Sequence, residues 1–139
     1  MIFTNKKCVV IGRNQNPWKE SNFKKLTKDS IEIVRRFSGG GAVYHDLGNV
    51  NFTLFSSNSA FNKSNLSNML LGTIKGFQIN NSTMGPRFDL YVEGFKVSGS
   101  AYKLTSQRSY HHSTMLINSN TDLLKSYLSV SVSSVPKSN

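Results

Sequence analysis

Hydrophobic and polar residues alternate along much of this chain, and the period changes from two to nearly four in a few places only. In "NVNFTLFS", Val50, Phe52 and Leu54 point one way and Asn51, Thr53 and Phe55 the other, the pattern of a strand with two different faces. "IEIVRRF" does the same, with Ile31, Ile33 and Arg35 on one face and Glu32, Val34 and Arg36 on the other. "KCVVIGRN" reads as a short buried strand stopped by the turn-forming "NQNP", and Asn22 caps a short helix over "FKKLTKDS". In "SNLSNMLLGTIKGFQI" the residues Leu66, Met69, Leu70, Ile74 and Phe77 recur every three or four positions, which predicts an amphipathic helix lying on a core. The polar "NNSTMGP" reads as a loop. "RFDLYVEGFKVSGSAYKL" reads as a hairpin turning at "EG", "HSTMLINS" as a longer strand, and "TDLLKSYL" as a capped helix before a loose tail, "SVSVSSVPKSN". Strands with a few interspersed helices predict an α+β fold, with a mixed, mostly antiparallel sheet and flanking helices.

Composition narrows the class. A chain of 139 residues predicts one domain rather than two independent cores. With 37% hydrophobic and 11% aromatic residues it is no disordered composition. No apolar run approaches membrane-spanning length, and the N-terminus shows neither a secretory signal nor a transit-peptide pattern. The single cysteine, Cys8, excludes an internal disulfide and every multi-cysteine metal site, and it reads as a packed strand residue. A net charge of +10 favours anionic partners: phosphates, nucleic acid or acidic proteins. About half of the basic residues fall between Lys6 and Arg36, interleaved with Trp18 and Phe23. No recognition helix, zinc pattern or aromatic RNA-binding motif accompanies them, so a nucleic-acid partner is not expected.

Two segments carry candidate chemistry. In "RRFSGGGAVYHDLGN" the glycines Gly39, Gly40 and Gly41 let main-chain N–H groups reach a ligand's oxygens, and Arg35 and Arg36 alternate so that only one faces the loop. The spacing matches neither the Walker loop nor the dinucleotide fingerprint. In "GFKVSGSA", Lys96 lies between glycines and is followed by small residues, with room to neutralise a bound acyl phosphate. His111 and His112 are adjacent and face opposite ways on a strand, so they do not share a metal, and no metal site is expected. Hydrogen bonds that fix loops are the expected role of these histidines and of His45, itself expected in a loop.

Taken together, "VVIGRNQNPWKE", "RRFSGGGAVYHDLGN" and "GFKVSGSAYKL…YHHSTMLIN" resemble the lipoate–protein ligase A family in order and approximate spacing. The resemblance implies a single catalytic domain over residues 1–139, shortened at both ends, with a fold similar to biotin ligases and class II aminoacyl-tRNA synthetases. It implies a two-step reaction in which lipoate and ATP, with Mg2+, form lipoyl-adenylate and the lipoyl group then passes to a lysine. The implied acceptors are lipoyl domains of 2-oxoacid dehydrogenase complexes and the glycine cleavage H protein. By motif position, Arg36, Gly41, Ala42, Val43, Tyr44, Asp89 and Lys96 correspond to nucleotide-binding residues, Lys96 also to the catalytic one. Gly39, Gly40, His45 and Lys96 correspond to lipoate-binding positions. Phe88 stands where the family has asparagine, and "HHST" where it has His-His-Gly-Thr. The rival readings are a transferase that accepts preformed lipoyl-adenylate, an inactive remnant, and an octanoyltransferase, which would need a better-placed cysteine than Cys8. The basic, asparagine-rich composition fits a mitochondrial protein, with the bacterial cytoplasm as the alternative.

Overall fold

In the computed structural model, which describes residues 1–129, the first buried strand is flanked by partners of opposite direction. Strand β2 (Cys8–Ile11) pairs in parallel with β3 (Glu32–Arg35) and antiparallel with β4 (Val43–His45). β1 (Ile2–Thr4) precedes them and belongs to another sheet. A parallel pair needs a crossover, and two short helices supply it: α1 (Pro17–Glu20) and α2 (Phe23–Lys28). The "NQNP" turn is therefore also a helix start, with Asn16 Oδ1 accepting the Trp18 N–H and Pro17 in the first turn. Asn22 caps α2 as expected, accepting from Lys25 N at 3.2 Å. The far end of α2 closes with Ile31 N–H on Leu26 O and Ser30 N–H on Thr27 O, the paired bonds of a Schellman motif, and Ser30 takes the left-handed conformation (φ 54°). The core of this unit is Val9, Ile11, Leu26, Tyr44 and Tyr127, with Ile31 and Ile33 packed on it. Tyr127 comes from a helix numbered α4 below, whose start is tied down by Asp46. That carboxylate accepts from Gly48 N (3.0 Å), Ser119 Oγ (2.6 Å) and Asn120 N (2.9 Å).

A second unit is formed by residues 1–3 and 49–117, the first by residues 4–48 and those from 118 on. The described residues hold two hydrophobic clusters, one in each unit. The second unit holds a four-stranded sheet ordered β1-β5-β10-β9, with β5 Asn49–Ser57, β9 Ser100–Leu104 and β10 Arg108–Leu116. β5 and β10 run antiparallel from Arg108 opposite Ser57 to Leu116 opposite Asn49. A separate three-stranded sheet consists of β6 (Ser82–Met84), β7 (Leu90–Val92) and β8 (Phe95–Lys96). The β7–β8 turn is at Glu93-Gly94 as predicted, both with positive φ, which suits a tight two-residue hairpin. β6 corrects the reading of "NNSTMGP" as a loop: Ser82 to Met84 pair with β7, so tertiary pairing overrides their polar, weakly strand-forming composition.

Helix α3 (Asn65–Gly76) packs Leu66 and Leu70 against Leu90 and Met115, with Phe52, Leu54 and Ile74 around them. Met69 and Phe77 are exposed, contrary to the helical pattern. At about 100° per residue, Met69 lies about 60° beyond Leu66 on the side away from Leu70, Ser67 and Ile74. Phe77 is the C-cap, already outside the helix. Ser67 fills the inward position instead, its hydroxyl donating to Phe88 O. On β10, His111 faces inward opposite Leu54 and His112 faces the other way, as adjacent strand residues must. The expected loop-fixing hydrogen bond of His111 is absent among the described residues: the ring is 2% exposed, neither nitrogen has a partner there, and it meets Tyr102 edge-on at 6.4 Å. The last helix, α4 (Thr121–Leu128), is capped by Asn120. Most of the tail expected to be loose lies outside the described residues.

Ser30→Gly should raise unfolding stability by about 1 kcal/mol, since glycine meets no Cβ penalty at a left-handed cap. Urea melts of the two proteins measure it; an equal or lower midpoint contradicts the cap assignment.

Candidate functional site

Two clusters of candidate residues emerge, one in each unit. The first is built around two arginines whose donors go to main-chain carbonyls. Arg35 Nη1 donates to the oxygens of Gly12 (3.0 Å), Arg13 (3.0 Å) and Gln15 (2.8 Å), fastening the turn after β2. Arg36 faces the glycine loop, as only one of the pair can. Its guanidinium donates to Gly39 O (2.8 and 3.2 Å), Gly41 O (2.7 Å) and Val10 O (3.2 Å). A trans peptide points its carbonyl and the next N–H in opposite directions, so the tethered carbonyls turn the N–H groups of Gly40 and Ala42 away from Arg36. Gly40 takes φ 94°, open to glycine at little cost. A Cβ built at Gly39 or Gly41 meets nothing within 4 Å, whereas one at Gly12 stands 2.1 Å from Gly40 O. The loop therefore packs its back tightly on Gly12 and leaves its own side open.

The residues that follow divide. Ala42 packs on the core, and Val43 begins β4. Tyr44 is a core residue, 5.4 Å from the Tyr127 ring, and burial pushes its hydroxyl up to about 12. Any nucleotide contact at Tyr44 therefore falls to its backbone. His45 ends β4 rather than lying in a loop. It is buried, its Nδ1 is 2.9 Å from Asn5 Nδ2, and its Nε2 has no partner among the described residues. Burial first, and then the charge of Arg36, push its pKa down to about 4, partly opposed by Asp46. The ring is neutral at physiological pH. Cys8 is buried and its thiol is pushed up by desolvation, so it is no thiolate nucleophile.

The second cluster lies on the β7–β8 hairpin. Lys96 Nζ donates to Asp89 Oδ2 at 2.7 Å, and Asp89 Oδ1 accepts the Ser100 N–H at 3.3 Å. Asp89 is 9% exposed at its side chain and Lys96 49%, so a buried carboxylate holds a half-open ammonium in one place. A side chain at Gly99 would touch Lys96 Nζ at 3.9 Å, so the small residue there keeps the ammonium uncovered. Thr114 Oγ1 and the Ser98–Ser113 hydroxyl pair brace the same segment. Sequence reading took the "SGSA" run for room alone and missed this bracing. It also missed a ring cluster on the outer face of the four-stranded sheet. There Phe55, 64% exposed, lies 6.1 Å from Tyr110, which lies 5.8 Å from His112. The period-two alternation of β5 and β10 was the signal that could have found it.

A family model described as the lipoyl protein ligase A/B catalytic domain matches residues 1–139. A lipoate-protein ligase A of Psychrobacter cryohalolentis is 42% identical over 127 residues, 91% of this chain and 37% of the relative. A P. falciparum protein solved in complex with lipoate superposes with a TM-score of 0.85 at 42% identity, over 93% of this chain and 38% of that one. A Thermoplasma acidophilum bipartite lipoate protein ligase, described with its E2 lipoyl domain, gives a TM-score of 0.80 at 27% identity, over 93% of this chain and 52% of that one. The chain thus spans little more than a third of the first two proteins.

Gly12→Ala should cost about 3 kcal/mol of stability, because its methyl collides with fixed backbone. Gly41→Ala should change stability by less than about 1 kcal/mol; equal losses in thermal melts would contradict the open loop. His45, depressed in the folded state, favours folding fully above its unfolded pKa near 6.5. That contribution, roughly 3 kcal/mol, is lost as pH falls from there towards 4. Denaturant titrations of the unaltered protein and of His45→Gln should diverge over that window.

Proposed function

This chain belongs to the lipoyl protein ligase A/B catalytic-domain family, and from that premise we propose that it forms the catalytic domain of a lipoate–protein ligase. In this reading a carboxylate oxygen of lipoate attacks the α-phosphorus of ATP. The bond to pyrophosphate breaks, and a lipoyl-adenylate anhydride forms. A lysine amine of the acceptor then attacks the acyl carbon, AMP leaves, an amide forms and the amine's proton goes to solvent. No protein nucleophile is required, so positioning and charge neutralisation are the tasks of the residues.

The observation that carries the reading is the glycine loop, whose back is held by Arg36 and whose open side carries N–H groups suited to phosphate oxygens. Gly39, Gly40, Gly41 and Ala42 supply that backbone, with Val43 and Tyr44 continuing it, and Arg36 adds positive charge behind it. Lys96, held in place by Asp89, is in this reading the group that neutralises the acyl phosphate. Neutral His45 suits the lipoate side of the reaction. The exposed Phe55–Tyr110 face offers an apolar seat for an acyl chain. Magnesium would enter with the nucleotide: among the described residues no three His, Cys, Asp or Glu side chains group to hold a metal.

The acceptors in this reading are lipoyl domains of 2-oxoacid dehydrogenase complexes and the glycine cleavage H protein. The location is mitochondrial, with the bacterial cytoplasm as the alternative, supported by the basic composition. Among the described residues no helix is long and apolar enough to cross a membrane.

Lys96→Ala should reduce pyrophosphate release from ATP and lipoate by about 100-fold. Lys96→Arg keeps a cation beside Asp89 and so separates lost chemistry from lost fold. Unchanged turnover in both variants would remove Lys96 from the reaction. An unaltered protein that transfers from supplied lipoyl-adenylate without releasing pyrophosphate from ATP is a transferase, and one that does neither is an inactive fragment.

A further inference from the structure

The crossover between β2 and β3 carries an exposed aromatic pair that the catalytic reading does not use. Trp18 on α1 and Phe23 on α2 are 44% and 38% exposed, with ring centroids 5.9 Å apart and planes 29° from parallel. Leu26 points inward from α2; Lys24, Thr27 and Lys28 lie on the arc away from it and Phe23 at the edge of the buried face, all four exposed. Lys19 extends the basic rim from α1. The acid at the end of α2, Asp29, is turned back to the Lys25 ammonium (2.9 Å) and the Tyr127 hydroxyl (2.9 Å), and it also feels the charge of Lys28. From Trp18 to Lys28 there are four lysines against one glutamate.

This platform is also rigid. Side-chain caps start both helices, and the Ser21 hydroxyl donates to Pro17 O at 2.7 Å. The Asn22 N–H donates to Tyr127 O at 2.8 Å. A large aromatic anchor held in place and rimmed by charge is the arrangement that protein interfaces use at their energetic centre. Its ordering cost is largely met before a partner arrives. Single-stranded nucleic acid would instead require open ring faces for base stacking, and here each ring covers a face of the other.

We propose that Trp18 and Phe23, with Lys19, Lys24 and Lys28 around them, dock the acceptor protein through an acidic surface with an apolar contact at its centre. The identity of that partner rests on the ligase reading; the surface itself does not. A protein substrate must be held by contacts beyond the single lysine that reacts, and charge complementarity provides them together with faster encounter.

Trp18 is the chain's one tryptophan, so its fluorescence reports this surface directly. Titrating the full chain with an acidic apo-lipoyl domain that lacks tryptophan should shift the emission to the blue and saturate. The apparent Kd should rise with salt. Lys24→Glu/Lys28→Glu should raise both that Kd and the acceptor KM by about tenfold or more. Its pyrophosphate release and its transfer rate at saturating acceptor should stay unchanged. Unchanged Kd and KM in this variant would overturn the proposal. So would a Trp18 emission that answers a single-stranded oligonucleotide and not the acceptor. Binding is read without turnover: a protein that releases no pyrophosphate overturns the ligase reading alone, while the titration still decides the docking surface.

Discussion

The Arg36 guanidinium donates to Gly39 O, Gly41 O and Val10 O, and through these bonds a segment that glycine makes floppy acquires one path. Three consecutive glycines lose more backbone freedom on folding than any other triplet, on the order of 1 kcal/mol each beyond alanine. Charge-assisted hydrogen bonds from a half-buried arginine are among the few local interactions large enough to offset that loss. Arg35 does the same for the turn after β2, and Gly12 joins the two, since its missing side chain is the space occupied by Gly40 O. The "RR…GGG" segment is thus one mechanical unit: cations that hold backbone on one side, and backbone whose other side is left open at Gly39 and Gly41.

Both candidate clusters follow this rule of holding the neighbour of the working group. Asp89 is buried and takes Lys96 on one oxygen and the Ser100 N–H on the other, so the ammonium has a defined position while half of its side chain stays in solvent. His45 is kept neutral by burial and by Arg36, on the strand that Asp46 pins to the start of α4. The adenylate chemistry proposed above would require such placement more than it requires reactive side chains. Phe88, beside Asp89, adopts φ 63°, a conformation that asparagine, the residue the resemblance would place there, reaches more easily.

Periodicity and capping residues were enough to locate most elements. Phe52 and Leu54 face the α3 cluster as alternation required, Asn22 and Asn120 cap their helices, and Glu93-Gly94 turns its hairpin. The collinear motifs pointed to the family, to the glycine loop and to Lys96. These are local properties: side-chain direction along a strand, cap chemistry and glycine's freedom are set within a few residues of the chain.

Other features were beyond the reach of any local reading. Polar Ser82 to Met84 become a strand because β7 offers partners. Ser67 faces inward, its hydroxyl on Phe88 O, while Met69 faces outward, and His111 is buried opposite Leu54 with no hydrogen-bond partner among the described residues. Asp89 meets Lys96, and Arg36 reaches back to Val10, through the chain's return in space. The amino-acid sequence by itself determined which residues could do chemistry and which faces were apolar. Tertiary structure decided which donor met which acceptor, because burial and pairing between distant segments depend on contacts that no short stretch of chain contains.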